Sequence, residues 1–373
     1  MSRCPDESLR LVQVGAGAMG RAWLSTIAAN PDTVLVGLVD IDPAVATAAL
    51  AAAPDGLSDG DVVVGTDLDE VIRESGADAV VDVAVPSAHH AITTTALLAG
   101  LDVLGEKPVT ETVAQALSLV AATQMTGHRV IVSQSRRFNQ QAFQLRAQAR
   151  ALGTAGTLTC EFFKAPHFGG FREQMAQPLL VDMAIHQFDL ARFILDADPV
   201  AVYAETFNPS WSWFAGDASA VATFDMSDGT RFGYSGSWCA PGLETSWNGA
   251  WRLSAQRGSA RWSGDDAPVL ELLEPREVLA EPDPGAELTG SLRAFVTGIR
   301  GDAPMMCGVA DNVLSLAMVE AAVESAESGW RVSIHDVLER AHEAALEREQ
   351  RDDVRAVLAS WPSVAEGLTR PLG

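Results

Sequence analysis

Short apolar runs alternate with helical patterns along the first 135 residues of the chain. The first run, at residues 9–14, is followed by a turn and then by a helical pattern over residues 21–30. Further apolar runs, separated by helical stretches, occupy residues 34–39, 62–64, 79–85, 101–104 and 130–133. Because parallel strands need crossover helices that bury both faces of the sheet, this alternation predicts a doubly wound, parallel α/β domain.

The pattern changes after about residue 155, where longer runs of alternating apolar and polar residues appear, as in residues 218–224 and 230–237. Alternation with period two is typical of strands with one buried face. We therefore expect an α+β domain with a large, mostly antiparallel open sheet. Helical patterns over residues 291–300, 311–328 and 337–355 follow. The predicted parts are a nucleotide-binding domain at 1–135, a substrate and oligomerisation domain at 136–335, and a C-terminal helical tail at 336–373.

The charge balance excludes several kinds of partner. The 373 residues include 26 Lys and Arg against 49 Asp and Glu, a formal net charge of −23. Such a chain repels polyanions, so neither nucleic acid nor an anionic membrane is an expected partner. No apolar run approaches the roughly 18 residues of a membrane span, and no signal-peptide core precedes the first strand, so we expect a cytoplasmic protein. Four scattered cysteines and seven histidines without ligand spacing favour free thiols and no metal site.

A glycine motif joins the first predicted strand to the first predicted helix. Gly15 permits a tight turn, Gly17 lets the backbone approach a pyrophosphate, and Gly20 lets the helix pack closely on the strand. The motif, placed between a strand and a helix, predicts a dinucleotide-binding Rossmann domain. The expected cofactor contacts in this motif are Gly15, Gly17, Ala18, Met19 and Gly20.

An acidic residue ends the second predicted strand. Asp40 lies 20 residues after Gly20 and is followed by Ile41. A carboxylate at this place accepts hydrogen bonds from the adenosine ribose and repels a 2′-phosphate. We therefore expect NAD rather than NADP as the cofactor, with Asp40 and Ile41 in its binding site.

Two later segments contain residues suited to chemistry. Glu106-Lys107-Pro108 follows the fifth predicted strand, and the C-terminal ends of strands face the ligand crevice of a doubly wound sheet. Asp182 and His186 lie four residues apart in an otherwise apolar helical pattern, so they are expected to share a helix face with Asp189. Because unpaired polar groups in a buried helix are costly, these side chains should face a site or one another. The alternative is a buried ion pair or a helix cap.

With these motifs the chain resembles the Gfo/Idh/MocA family of oxidoreductases from about residue 9 to residue 335. The segments that carry the resemblance are the glycine motif, Val85-Pro86-Ser87-Ala88-His89-His90, Glu106-Lys107-Pro108, Arg136-Arg137-Phe138, the pair Gly153 and Gly156, and the spacing of Asp182 and His186. Residues 172–179 lack the glycine-rich stretch that many members have there, so the substrate of any one member does not transfer. His167, Phe168 and Arg172 are candidates for the pocket wall or for a solvated loop.

The resemblance implies a cofactor role for residues beyond the glycine motif. Pro86, His90, Glu106, Lys107 and Pro108 would belong to the NAD site, with a cis peptide bond before Pro108. For His90 a purely structural role is the alternative.

The resemblance also implies that Lys107, Arg137, Asp182 and His186 contact the substrate, and that Lys107, Asp182 and His186 are catalytic. A neutral imidazole has a pKa suited to accept a hydroxyl proton near pH 7, so His186 is the favoured base, and Lys107 stays the alternative. Asp182 would stabilise the imidazolium, and the Lys107 cation would stabilise alkoxide character.

The expected function is transfer of hydride between NAD and a hydroxyl or carbonyl group of a sugar, cyclitol or related polyol. Two other functions stay open, namely a glycosidase-type enzyme that recycles tightly bound NAD, and a sensor that binds a sugar or dinucleotide without chemistry. The open sheet needs cover on its outer face, which pairs subunits in this family, so we expect a homodimer or homotetramer.

Overall fold

The computed structural model describes residues 7–301 and 306–372, so Cys4 lies outside the described residues. The chain forms two compact units. The first comprises Met1–Ser135, Gly285–Val313 and Ala341–Gly373, and the second comprises Arg136–Pro284 and Leu314–Arg340. This grouping differs from the three parts expected from the sequence. The helices within Gly285–Val313 and Ala341–Gly373 pack on strands and helices of Met1–Ser135, so these two later segments belong to the first unit.

The first unit contains a six-stranded parallel sheet. Its strands are β1 (Leu9–Val14), β2 (Thr33–Val39), β3 (Val63–Gly65), β4 (Ala79–Asp82), β5 (Asp102–Glu106) and β6 (Val130–Ser133). They lie in the order β3-β2-β1-β4-β5-β6. The strand order reverses between β1 and β4, which confirms the predicted doubly wound sheet and opens a crevice at the C-terminal ends of these two strands.

The second unit contains an eight-stranded sheet. Its strands are β7 (Ala155–Phe163), β8 (Pro199–Phe207), β9 (Ser219–Met226), β10 (Arg231–Ser237), β11 (Ala250–Ala255), β12 (Gly258–Trp262), β13 (Val269–Leu272) and β14 (Val332–Ser333). They lie in the order β13-β12-β11-β7-β10-β9-β8-β14, and neighbours are antiparallel except for the parallel pair β7 and β10. The predicted mostly antiparallel sheet is confirmed. Buried and exposed residues alternate along β8 and β9, so one face of the sheet lies against the core.

The α-helices of the described residues are α1 (Ala18–Ala28), α2 (Pro43–Ala51), α3 (Leu68–Ser75), α4 (Pro86–Leu98), α5 (Val113–Thr126), α6 (Gln140–Leu152), α7 (Ile185–Leu195), α8 (Glu287–Arg300), α9 (Val309–Ser328), α10 (Ile334–Arg348), α11 (Asp352–Ala359) and α12 (Val364–Thr369). In the first unit α8 packs beside α1, and α11 packs on α5. In the second unit α6 contacts β11 and β12, and α7 contacts β7. Among the residues that the structure describes, no helix is both long and apolar enough to cross a bilayer.

The single helix expected over residues 337–355 is wrong. Helix α10 ends at Arg348 and α11 begins at Asp352. At the break, the backbone N–H of Arg351 donates to Glu349 Oε1 at 2.9 Å, so a side chain replaces the helical acceptor. In α11, Val354 and Leu358 are buried.

Candidate active site

The glycine motif joins β1 to α1. Gly15 has a φ of 99°, and a Cβ there would lie 2.7 Å from the carbonyl oxygen of Val83. A Cβ on Gly20 would lie 2.3 Å from the carbonyl oxygen of Gly15. Gly17, the N-cap of α1, makes no side-chain cap hydrogen bond, and a Cβ there would meet no described atom within 4 Å. The protein's own packing therefore requires Gly15 and Gly20, whereas Gly17 leaves space for a pyrophosphate at an uncapped helix N-terminus.

Gln13 holds this motif in place and was missed by the sequence analysis. Its buried side chain donates from Nε2 to the carbonyl oxygens of Gly15, at 2.8 Å, and of Gly20, at 3.0 Å. These two bonds link the start of the turn to the first turn of α1. A glutamine inside an otherwise apolar strand was the available signal, because buried polar groups need partners.

Asp40 follows β2 and contacts the same turn. Its Oδ2 accepts from the backbone N–H of Ala16 at 2.8 Å, and its Oδ1 accepts from the N–H of Asp42 at 3.0 Å. Each carboxylate oxygen keeps a further lone pair that can accept from a ribose hydroxyl. Ile41 and Met19 are both exposed. These residues fit an adenosine-binding surface, and their contacts with the cofactor stay predictions.

Lys107 lies directly after β5, and its bond to Pro108 is cis, as the resemblance implied. The preceding Glu106 is buried, and burial raises the pKa of its carboxyl group. Its Oε1 accepts from Trp23 Nε1 at 2.9 Å, and its Oε2 accepts from the backbone N–H of Lys107 at 3.2 Å. Glu106 therefore supports the backbone of Lys107 from inside the unit.

Pro86 begins α4, with the exposed Val85 as its N-cap. His90, in the second turn, lies with Nε2 3.0 Å from Ser118 Oγ, and that hydroxyl donates to Glu349 Oε2. Burial lowers the pKa of His90, and the charge of Glu349 opposes the shift. The imidazole is thus tied to α5 and to the C-terminal segment, which matches the structural alternative. A cofactor contact of His90 stays a prediction.

Asp182 and His186 do not lie on one regular α-helix, and the helix face that they are expected to share stays a prediction. Leu179–Ala184 is a π-helix and α7 begins at Ile185, so Asp182 lies in the wide turn and His186 in the narrower one. His186 is buried and Asp182 is half-buried. π-turns inside helices occur frequently at functional sites.

Arg172 forms an ion pair with Asp182. It lies in a 3₁₀ helix, Gly170–Gln174, and donates from Nε to Asp182 Oδ2 at 2.6 Å. Arg172 was a candidate for the pocket wall or for a solvated loop, and its pairing with Asp182 was not predicted. The path of the nine residues between them, which includes part of the π-helix, is not predictable from local sequence pattern alone.

Arg137, expected to contact the substrate, forms a buried ion pair. Its Nε and Nη2 donate to the two carboxylate oxygens of Asp189 at 2.5 and 2.7 Å, and the side chains are 8% and 1% exposed. Ser315 Oγ also donates to Asp189 at 2.8 Å and accepts from Arg192 Nη1 at 2.9 Å. Both carboxylate oxygens of Asp189 therefore accept hydrogen bonds from residues of the second unit. A substrate contact of Arg137 stays a prediction.

Five tryptophans of the second unit differ in their exposure to solvent. Trp238 and Trp251 are buried, as expected for core residues, whereas Trp211 and Trp247 are exposed. Trp213 stacks on His167 with ring centroids 3.9 Å apart.

In the described part of the chain no group of three or more His, Cys, Asp or Glu residues is arranged to hold a metal ion.

Two family models match the chain. The model of an oxidoreductase family with an NAD-binding Rossmann fold, GFO/IDH/MocA, matches residues 9–134, and the model of the GFO/IDH/MocA C-terminal domain matches residues 140–261. The chain belongs to the GFO/IDH/MocA oxidoreductase family. Its first unit is an NAD-binding Rossmann domain, as the glycine motif predicted.

Relatives of this family member span nearly the whole chain. An uncharacterized protein of Sinorhizobium fredii is 28% identical over 88% of this chain and 97% of its own length. An inositol 2-dehydrogenase of Arthrobacter sp. is 25% identical over 88% of this chain and 96% of its own length. A crystal structure of an oxidoreductase from Agrobacterium radiobacter in complex with NAD+, L-tartaric acid and magnesium covers 89% of this chain and 100% of its own. Its TM-score is 0.76 at 19% identity, which establishes the shared fold.

Proposed function

We propose that this oxidoreductase is a dehydrogenase or reductase that uses NAD and acts on a hydroxyl or carbonyl group of a sugar, cyclitol or related polyol. The observation that carries the proposal is that an NAD-binding family member retains Lys107 after β5 and the pair Asp182 and His186 at the start of α7. The relative from Arthrobacter, an inositol 2-dehydrogenase, supports a cyclitol or sugar as the class of substrate.

The proposed chemistry follows from these residue types. Bound NAD supplies the acceptor or donor of the hydride. In the oxidising direction His186 Nε2 or Nδ1 accepts the hydroxyl proton, and the carboxylate of Asp182 stabilises the resulting imidazolium. The ammonium group of Lys107 stabilises negative charge on the substrate oxygen. Lys107 as the base is the alternative assignment.

The first experiment measures NADH formation at 340 nm with the purified chain, NAD and a panel of inositols, aldoses, sugar acids and anhydrosugars. Lys107→Met and His186→Ala should each lower turnover by a factor on the order of 10²–10⁴, the usual contribution of a proton-transferring or charge-stabilising residue, with NAD affinity nearly unchanged. Lys164→Met is the matched control, because Lys164, the other lysine of the chain, is paired with Glu244 at 2.9 Å. Near-normal turnover in either variant would remove that residue from the mechanism.

The same panel separates the other functions. Conversion of a substrate without release of NADH would identify an enzyme that recycles its cofactor. Binding of a sugar and NAD without conversion would identify a sensor. Both results would reject the dehydrogenase.

We also propose that the outer face of the eight-stranded sheet pairs two chains into a homodimer, or four into a homotetramer. Tyr203 of β8 and Val221 of β9 are exposed on this sheet, as are Val200 and Phe207. Apolar side chains on an open sheet face are typical of subunit interfaces. Sedimentation of a monomer alone at micromolar concentration would reject this proposal.

A further inference from the structure

The guanidinium group of Arg172 is packed against two aromatic rings beside the proposed catalytic Asp182. Its central carbon lies 5.5 Å from the ring centroid of Phe168 and 4.8 Å from that of Phe171. Phe168 is 43% exposed and Phe171 is 66% exposed. The Arg172 side chain itself is 38% exposed, although it also forms the ion pair with Asp182. This cation is therefore both held in place and accessible.

The hydrogen-bond donors of Arg172 are used unequally. Among the described residues Arg172 donates from Nε alone, to Asp182. A guanidinium carries five N–H donors, so the four on Nη1 and Nη2 remain for another acceptor. Arg137 and Arg192 differ, because their terminal nitrogens donate to Asp189, Ser315 and Asp198. The two terminal nitrogens of a guanidinium match the two oxygens of a carboxylate in a bidentate pair.

A purely structural role does not account for this arrangement. The Arg172 side chain is 38% exposed, so solvent screens its charge and the ion pair with Asp182 adds little to stability. Cation–π contacts with Phe168 and Phe171 restrict the motion of the guanidinium, which lowers the entropy lost on binding. The overall charge of −23 repels an anionic substrate, so such a substrate needs a local cation.

We propose that Arg172 determines substrate specificity by binding a carboxylate of the substrate through Nη1 and Nη2. The substrate is then a polyhydroxy acid, such as a uronic or aldonic acid, rather than a neutral polyol. This inference rests on the proposed function, because it places the acid group of the substrate next to Asp182. Arg172 joins the two carboxylates, one from the protein and one from the substrate, and reduces their repulsion.

The test compares acids with neutral partners that differ only at the acidic carbon. The probes are D-glucuronate with D-glucose, D-galacturonate with D-galactose, and D-gluconate with D-glucitol. Calorimetry with the full chain saturated with NADH measures their dissociation constants, and NADH formation with NAD measures KM and kcat. The variants are Arg172→Gln, which removes the charge, and Arg172→Lys, which keeps the charge but lacks the two terminal nitrogens of the guanidinium group. Arg231→Gln is the matched control, because Arg231 is exposed and pairs with Asp225 at 2.8 Å.

The wild-type chain should bind at least one acid about 10- to 100-fold more tightly than its neutral partner, as expected for hydrogen bonds between charged groups. Arg172→Gln should abolish this preference, Arg172→Lys should keep part of it, and Arg231→Gln should keep all of it. For an acid that is oxidised, Arg172→Lys should raise KM more than it lowers kcat. Circular dichroism of Arg172→Gln verifies that the variant is folded.

The two proposals fail in different ways. Equal binding of acids and neutral partners, or a preference that survives in Arg172→Gln, would overturn the role of Arg172 even if neutral sugars are oxidised. Tight binding of an acid that is lost in Arg172→Gln, without NADH formation from any probe, would support the role of Arg172 and reject the dehydrogenase.

Discussion

Replacing Arg137 with methionine should destabilise the second unit far more than it weakens substrate binding. The substitution removes both hydrogen bonds to Asp189 and keeps an unbranched side chain of similar length beside Phe193. The carboxylate of Asp189, 1% exposed, would then keep the hydroxyl of Ser315 as its donor. A buried charge that loses its counter-ion is one of the few single changes with a large effect.

The magnitude follows from the two bonds that are lost. Hydrogen bonds to charged groups contribute about 1.5–3 kcal/mol each, so two of them amount to about 3–6 kcal/mol. Breaking a buried ion pair from one side costs about 3–5 kcal/mol, which agrees with that sum. For a unit of this size each kcal/mol lowers the melting temperature by about 2–4 °C, so the expected shift is about 6–20 °C.

Thermal unfolding followed by calorimetry measures this shift. The double variant Arg137→Met with Asp189→Leu should recover much of the lost stability, because it leaves no buried charge without a partner. Arg231→Met is the control, since its exposed pair with Asp225 contributes about 1 kcal/mol or less. If Arg137→Met melted within a degree of this control while KM rose sharply, the reasoning would be refuted, and Arg137 would be a substrate-binding residue.

Three further predictions concern the NAD-binding unit. Gly17→Ala should leave stability unchanged and weaken NAD binding in calorimetry, whereas Gly20→Ala should lower the melting temperature, because its Cβ would lie 2.3 Å from the Gly15 carbonyl oxygen; equal melting temperatures would contradict this. Burial raises the pKa of Glu106 above its ordinary value of 4.5, so the folded state keeps a proton that the unfolded chain releases, and stability falls as pH rises from 4.5 through the raised pKa. Glu106→Gln should show a smaller fall in melting temperature over this range, and an unchanged pH profile would argue against the shift. Asp40→Ala should lower KM for NADP relative to NAD, because the carboxylate that repels a 2′-phosphate is gone; a constant ratio would remove Asp40 from cofactor selection.

Most of the first unit was predictable because its signals are local. Apolar runs of strand length, separated by helical patterns, specify a parallel sheet within short stretches of chain. The glycine motif is also a local signal. Gly15 and Gly20 must be glycine, because a Cβ at either position would collide with a neighbouring carbonyl oxygen. The π-helix at Leu179–Ala184 was not predictable, because the same apolar pattern is compatible with a regular α-helix.

The break between α10 and α11 shows the same limit. A charged, alanine-rich stretch favours a continuous helix by propensity, and the competing hydrogen bond from Arg351 to Glu349 is visible only in the folded chain. The C-terminal segment is part of the first unit, where Ser118 of α5 donates to Glu349. Nothing in the spacing of these residues indicates that contact.

By itself the sequence determined the doubly wound sheet, the NAD-binding turn and the list of residues suited to chemistry, since these depend on periodicity and on motifs a few residues long. The tertiary structure alone decided which charges pair. Arg137 joins Asp189 across 52 positions and Arg172 joins Asp182 across 10. The sequence shows which residues are charged. A charged residue pairs with whichever partner folding brings within hydrogen-bond distance, so only its neighbours in the folded chain decide its role.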